Sequence, residues 1–185
     1  MPLWLWVVLA ATGVLVLVAA YGYNRLVRLR NEAGTGWANI DVQLQRRADL
    51  IPNLVEAVKG YAAHERGVLE EVTRARTALQ QASTPGSAAT ANEALTTALG
   101  RLFAVAEAYP DLKASESFLR LQEDLTDTED KISAARRYYN ATVMRFNTAV
   151  QSIPWLVLAR PLGFREREFF SAEGDIAPPE VSFAA

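Results

Sequence analysis

The sequence predicts an all-α protein: an N-terminal transmembrane helix followed by an antiparallel bundle of four helices, two long and two short. Three observations carry this prediction. No charged side chain occurs from residue 3 to residue 23. Between Arg25 and Val150 there are only three prolines, Pro52, Pro85 and Pro110, and no period-two alternation bounded by turn residues. Near the end of that region, apolar side chains recur with a mean step of 3.5 residues, the spacing of helices that supercoil on a neighbour.

The apolar run reads LWLWVVLAATGVLVLVAAYGY. Its 21 residues, at about 1.5 Å each, reach roughly 31 Å, the thickness of a bilayer hydrocarbon core. Trp4 and Trp6 lie at one end and Tyr21 and Tyr23 at the other, the arrangement of an interfacial aromatic belt. A buried core helix of this length ordinarily carries a polar stripe, and a cleaved signal peptide ordinarily starts with a basic region; neither feature is present here. Arg25, Arg28 and Arg30 follow the run directly, whereas the short leading flank has no basic side chain. Positive flanks stay cytoplasmic, so a single pass is expected with the N-terminus outside and the helical domain inside. The same arginines could attract anionic headgroups.

The expected domains are an anchor over 1–23, a helical bundle over 24–170 and an extended or loose tail over 171–185, in which Val181 and Phe183 could dock. The first bundle helix, about 24–62, carries the ladder Leu26, Leu29, Ala33, Trp37, Ile40, Leu44, Ile51, Leu54, Val58 and Tyr61. One gap falls across Arg47 and Ala48. Gly34 and Gly36 each weaken a helix by about 1 kcal/mol relative to Ala, so a break between Asn31 and Trp37 is the alternative to a continuous helix. A second helix, about 65–82, presents Val68, Leu69, Val72, Ala75 and Leu79. Ser83-Thr84-Pro85-Gly86-Ser87 reads as a break. A third helix, about 89–108, is expected to open on a Thr90–Glu93 capping box and to present Leu95, Leu99, Leu102, Phe103 and Ala106. The fourth, about 115–152, has rungs from Phe118 through Leu125, Ile132, Tyr139 and Phe146 to Ile153. Short loops make neighbours antiparallel, so the fourth helix should return near the bilayer. There the segment IPWLVLARPLGF, with Trp155, either lies on the headgroups or packs on the base of the first helix, with packing preferred.

Composition narrows the functional classes. Of 185 residues, 19 are basic and 21 acidic, one is histidine and none is cysteine. Cysteine-based zinc sites and disulfides are excluded. Near-neutral charge argues against nucleic acid as a partner. A ferritin-like di-metal site needs two Glu-x-x-His motifs, and the residue three before His64 is Tyr61. No P-loop, dinucleotide fingerprint or nucleophile elbow occurs, so no cofactor, metal or catalytic residue is expected. The densest polar run covers residues 41–54 and includes Asp41, Arg46, Arg47, Asp49, Pro52 and Asn53. Pro52 cannot bond the Ala48 carbonyl, which implies either a kink or a carbonyl exposed for recognition. Arg47 sits in the gap of the apolar ladder. A buried arginine needs a carboxylate, and the candidates are Glu107, Glu129 and Asp130, with Arg136, Arg137 and Asn140 joining the network. A structural ion network is preferred to a catalytic one.

The runs Tyr23-Asn24-x-Leu26-Val27-x-Leu29-Arg30-Asn31 and Trp37-x-x-Ile40-Asp41-Val42-Gln43-Leu44-x-Arg46-Arg47-x-Asp49-Leu50-Ile51-Pro52-Asn53-Leu54-Val55-Glu56 carry a family resemblance. Ala104-Val105-Ala106-Glu107-Ala108-Tyr109-Pro110-Asp111-Leu112-Lys113, Thr128-Glu129-Asp130-Lys131-Ile132 and Ala135-Arg136-Arg137-x-Tyr139-Asn140 add to it. On these the chain resembles the LemA family of bacterial membrane proteins, from about residue 23 to 170. Gly34-Thr35-Gly36 departs from the better helix formers the family pattern would place there. The resemblance implies a single span in the bacterial cytoplasmic membrane and a cytoplasmic antiparallel bundle, and it does not deliver a biochemical activity; some relatives are tied to internal membrane compartments such as magnetosomes. Three readings follow. The first is a membrane-anchored non-enzymatic scaffold or adaptor whose bundle face and 41–53 region bind a partner protein, with self-association along the fourth helix as one form of it. The second is a membrane-organising or remodelling protein acting directly on lipid. The third is an enzyme, which would need a pocket of convergent polar groups.

Overall fold

A computed structural model of the chain describes residues 2–62 and 64–172. Among them are six helices and no strand: α1 Leu3–Lys59, α2 Arg66–Gln81, α3 Pro85–Ala106, α4 Pro110–Lys113, α5 Glu116–Gln151 and α6 Trp155–Ala159. The fold is an all-α helical bundle with one long apolar N-terminal helix. The expected docking of Val181 and Phe183 lies outside the described residues.

Helix α1 runs without interruption through the apolar stretch, the three arginines, Gly34-Thr35-Gly36 and Pro52. The glycine pair is therefore not a break. A side chain at Gly36 would come within 3.3 Å of the Tyr139 Cα and 3.4 Å of the Tyr138 and Tyr139 rings. The missing Cβ thus lets two helix backbones approach, and that packing offsets the lost helix propensity.

Helix α3 has its N-cap six residues earlier than the Thr90–Glu93 box would place it. Thr84 is the N-cap: its hydroxyl accepts from the Ser87 N–H, and the Ser87 hydroxyl lies 3.1 Å from the Thr84 N–H. Pro85 occupies the first helical position, where a fixed φ is an advantage and a missing N–H costs nothing. The Pro85-Gly86 pair punctuates the chain by opening a helix rather than by forming a loop. Thr90 is an exposed residue within α3. The Tyr109-Pro110 step does end a helix, but it also opens the single turn of α4.

The chain folds into two compact units. One comprises the described residues up to Gly36 together with Tyr138–Arg167. Its core is Leu26, Leu29, Phe146, Ala149, Val150, Ala159 and Phe164. The Asn147 side chain closes this unit by donating to the Arg167 carbonyl and accepting from the Arg167 N–H, each at 2.8 Å. The other unit comprises Trp37–Arg137 and the described residues from Glu168 onward. Its core takes Ile40, Leu44, Ile51, Leu54 and Val58 from α1, Leu69, Val72 and Leu79 from α2, Leu95, Leu99 and Leu102 from α3, and Phe118, Leu125 and Ile132 from α5. The 3.6-residue period of each helix puts these side chains on one face. Two anticipated rungs are exposed: Tyr61, and Ile153 at 83% because α5 ends at Gln151 and the chain turns.

The glycine pair yields a test. The nearest neighbour of a Cβ at Gly34 is the far end of Arg167, 4.0 Å away. Gly34→Ala should therefore raise stability in thermal melts by roughly 0.5–1 kcal/mol. Gly36→Val should lower it by roughly 1–3 kcal/mol through overpacking against Tyr139.

Candidate functional site

The 41–53 stretch of α1 separates into two faces. Ala48, Ile51 and Leu54 point inward, and Arg47 goes with them, only 3% exposed. Helical geometry requires this, because Arg47 lies three residues after Leu44 and four before Ile51. Asp41, Gln45, Asp49, Pro52 and Asn53 are exposed. The Gln45 amide donates to the Asp49 carboxylate at 3.0 Å, which ties two of them together.

Burying a guanidinium demands acceptors for its donors. Arg47 Nη1 donates to the Asn92 Oδ1 at 2.7 Å and to the Glu129 carboxylate. Its Nη2 donates to the Thr96 hydroxyl at 3.1 Å, and that hydroxyl in turn donates to the Asn92 carbonyl at 3.0 Å. One side chain thus links α1, α3 and α5. Burial pushes the Arg47 pKa down, and the Glu129 charge and hydrogen bond push back. Two buried side-chain polar atoms have no protein partner among the described residues, Arg47 Nε and Gln43 Oε1. They are a donor and an acceptor one helical turn apart on α1. A cleft of about 220 Å³ beside the network is lined by Asn92, Thr96, Glu129, Arg136 and Phe170.

A second polar contact involves Pro52. The Ala48 carbonyl, which Pro52 cannot satisfy, accepts from Arg76 Nε of α2 at 2.8 Å. It is therefore not the carbonyl free for recognition that the proline alone would allow. On the outer side, Arg46 lies 3.7 Å from Asp124 and 3.6 Å from Asp127. The hydrogen bond from Lys131 holds the Asp127 carboxyl below its ordinary range, helped by the Lys131 and Arg46 charges.

The remaining candidates fall elsewhere. Glu107 does not reach Arg47; it is exposed and pairs with Lys113. Asp130 is exposed on α5, while its neighbour Glu129 makes the contact. Arg137 donates to Ser133 on the surface of its own helix at 2.9 Å. Asn140 is half-buried in the first unit. Asn92, Thr96 and Arg76 are network members that the sequence pattern does not single out. Faint signals exist: Asn92 and Thr96 stand four apart in a helix otherwise rich in Ala and Leu, and an orphaned carbonyl at Ala48 calls for a donor.

In the first unit, Trp4, Trp6, Tyr21, Tyr23, Arg25, Arg28 and Arg30 are exposed. The Arg30 guanidinium lies 5.3 Å from the centre of the Phe164 ring. Trp155 rests on α1, its ring 6.1 Å from that of Tyr21 and occupying the space a side chain at Gly22 would need. Among the described residues, no group of three or more His, Asp and Glu could hold a metal ion.

The model of the LemA family matches residues 36–183. Magnetosome protein MamQ of Magnetospirillum gryphiswaldense is 28% identical over 174 residues, covering 80% of this chain and 64% of the relative. Magnetosome protein MamQ 2 of Paramagnetospirillum magneticum is equally similar over the same coverage. Protein LemA of Metamycoplasma hominis is 26% identical over 164 residues, covering 86% of this chain and 74% of the relative. The chain therefore spans a little under two thirds of the length of the magnetosome relatives it matches.

The contact between Arg76 and the Ala48 carbonyl makes a quantitative prediction. Arg76→Met should cost roughly 1–2 kcal/mol, because it orphans a buried acceptor. In a Pro52→Ala background the new N–H serves the Ala48 carbonyl, so the same substitution should cost clearly less. Denaturant melts of the four variants measure this coupling.

Proposed function

The chain belongs to the LemA family, and on that premise we propose that it is a membrane-anchored, non-enzymatic helical scaffold that binds a partner protein at the inner face of the bacterial cytoplasmic membrane. The apolar stretch of α1 is the single-pass anchor, with the N-terminus outside and the bundle in the cytoplasm, as the arginines after the span favour.

The observation that carries this reading is the division of residues 41–53. The inward face is committed to stability through Arg47 and the Ala48 carbonyl. The outward face leaves Asp41, Gln45, Asp49 and Asn53 in solvent at four-residue steps. Such a strip is short-ranged, rigid and acidic. It suits a partner helix or loop that offers arginine, lysine or amide donors. The strip lies on the same continuous helix as the anchor. Binding there would hold the partner at the membrane without any conformational change in the scaffold.

A photocrosslinking residue placed at Asn53 of the full chain, in native membranes, tests the proposal. One discrete protein adduct should form, and the double substitution Asp41→Ala with Asp49→Ala should abolish it while the melting temperature stays unchanged. Lipid adducts alone, or a protein adduct indifferent to the double substitution, would refute the scaffold role of this face.

A further inference from the structure

The chain between α5 and residue 164 has two unlike sides. One side is core: Ala159 and Phe164 are buried with Leu26, Leu29 and Phe146. Trp155 sits over Gly22 against Tyr21, and Phe164 meets Tyr23 edge-on with ring centres 5.9 Å apart. The other side leaves three large aliphatic residues in solvent: Ile153 at 83%, Val157 at 71% and Leu162 at 49% exposure. Single exposed apolar side chains are ordinary on a protein surface, but three within ten residues beside an apolar span suit a lipid cover.

The packing sets the level of this patch. Its partners on α1 start at residues 21–23, the last turn of the apolar run, where a spanning helix passes from hydrocarbon into headgroups, and continue to Leu26 and Leu29. Exposed cations near it include Arg25, Arg28 and Arg30 on α1 and Arg160 beside the patch itself. Aliphatic residues flanked by arginines, held at the end of a span, match the chemistry of the bilayer interface: acyl chains below and phosphates around.

We propose that the segment from Ile153 to Leu162 is a second membrane contact, a wedge that sets Ile153, Val157 and Leu162 into the inner leaflet beside the span. Trp155 is its hinge pin. The ring is fixed on the glycine face of α1, so the wedge is held at one depth rather than tethered loosely. The missing side chain at Gly22 is what permits this seat. A membrane-spanning helix alone is free to rotate and tilt, and a second contact off its axis would fix its orientation in the bilayer. The proposal rests on the anchor reading but not on the existence of a protein partner.

The absence of native cysteine makes the test clean. Three single-cysteine variants of the full chain, Val14→Cys, Val157→Cys and Leu119→Cys, are spin-labelled. All three positions are exposed, so the fold tolerates the label. The proteins are reconstituted into vesicles of phosphatidylethanolamine and phosphatidylglycerol, and power saturation reads the label's accessibility to oxygen and to a soluble nickel chelate. The wedge predicts high oxygen and low nickel accessibility at 14 and at 157, and the reverse at 119. A label at 157 as open to nickel as the one at 119, with 14 still in lipid, overturns the wedge and leaves the anchor standing. A label at 14 open to nickel overturns the anchor and the wedge with it.

Discussion

A guanidinium buried at position 47 cannot stand alone, and much of the second unit follows from that constraint. Removed from water, it needs a counter-charge and acceptors in defined directions. Glu129 supplies the charge, and Asn92 and Thr96 supply the acceptors. These come from α5 and α3, so the requirement of one α1 side chain fixes the register of three helices. Apolar packing is tolerant of small slides, whereas a directional charged contact is not. Arg76 does the same for α2 through the Ala48 carbonyl. The proline that removes one hydrogen bond from α1 thereby creates the acceptor that locates its neighbour.

The first unit uses close approach instead of charge. Gly36 brings the backbone of α1 against Tyr139, and Gly22 makes room for Trp155. Each glycine weakens the helix locally, and each is placed where a larger residue would collide. The same α1 thus serves as an apolar rod in its first turns, a glycine-notched packing surface in the middle and a carrier of a buried cation toward its end. On the 41–53 stretch the buried contacts are made by Arg47 and the Ala48 carbonyl, on the face opposite Asp41, Gln45, Asp49 and Asn53.

Much of this is legible in the sequence. Helical periodicity places the four longer helices to within a few residues but not the short α4 and α6, and the missing rung at Arg47 marks the buried cation from the pattern alone. What a one-dimensional pattern does not convey is adjacency. Glu129 is one of three carboxylates compatible with Arg47, and only the packing of α5 separates it from Asp130, one residue and about 100° further round the helix. Asn92, Thr96 and Arg76 carry little signal on their own helices, since their roles exist only where helices meet. Gly34-Thr35-Gly36 reads as weakness because the benefit of a glycine lies on the neighbouring helix. Pro85 reads as a breaker because a proline that opens a helix and one that ends a helix look alike until the cap beside it, Thr84, is recognised. Ile153 counts as a core rung because the period continues past the point where α5 stops.

Arg47 and Glu129 form the directional contact on which the second unit depends. A double-mutant cycle tests it most directly, with Arg47→Met and Glu129→Gln made singly and together in the full chain and stability read from denaturant unfolding. Glu129 is partly exposed, its side chain at 42%, so solvent screens the pair. Each single change should destabilise, and the double change should cost less than their sum by roughly 1–2 kcal/mol. Strict additivity of the two substitutions would contradict that dependence.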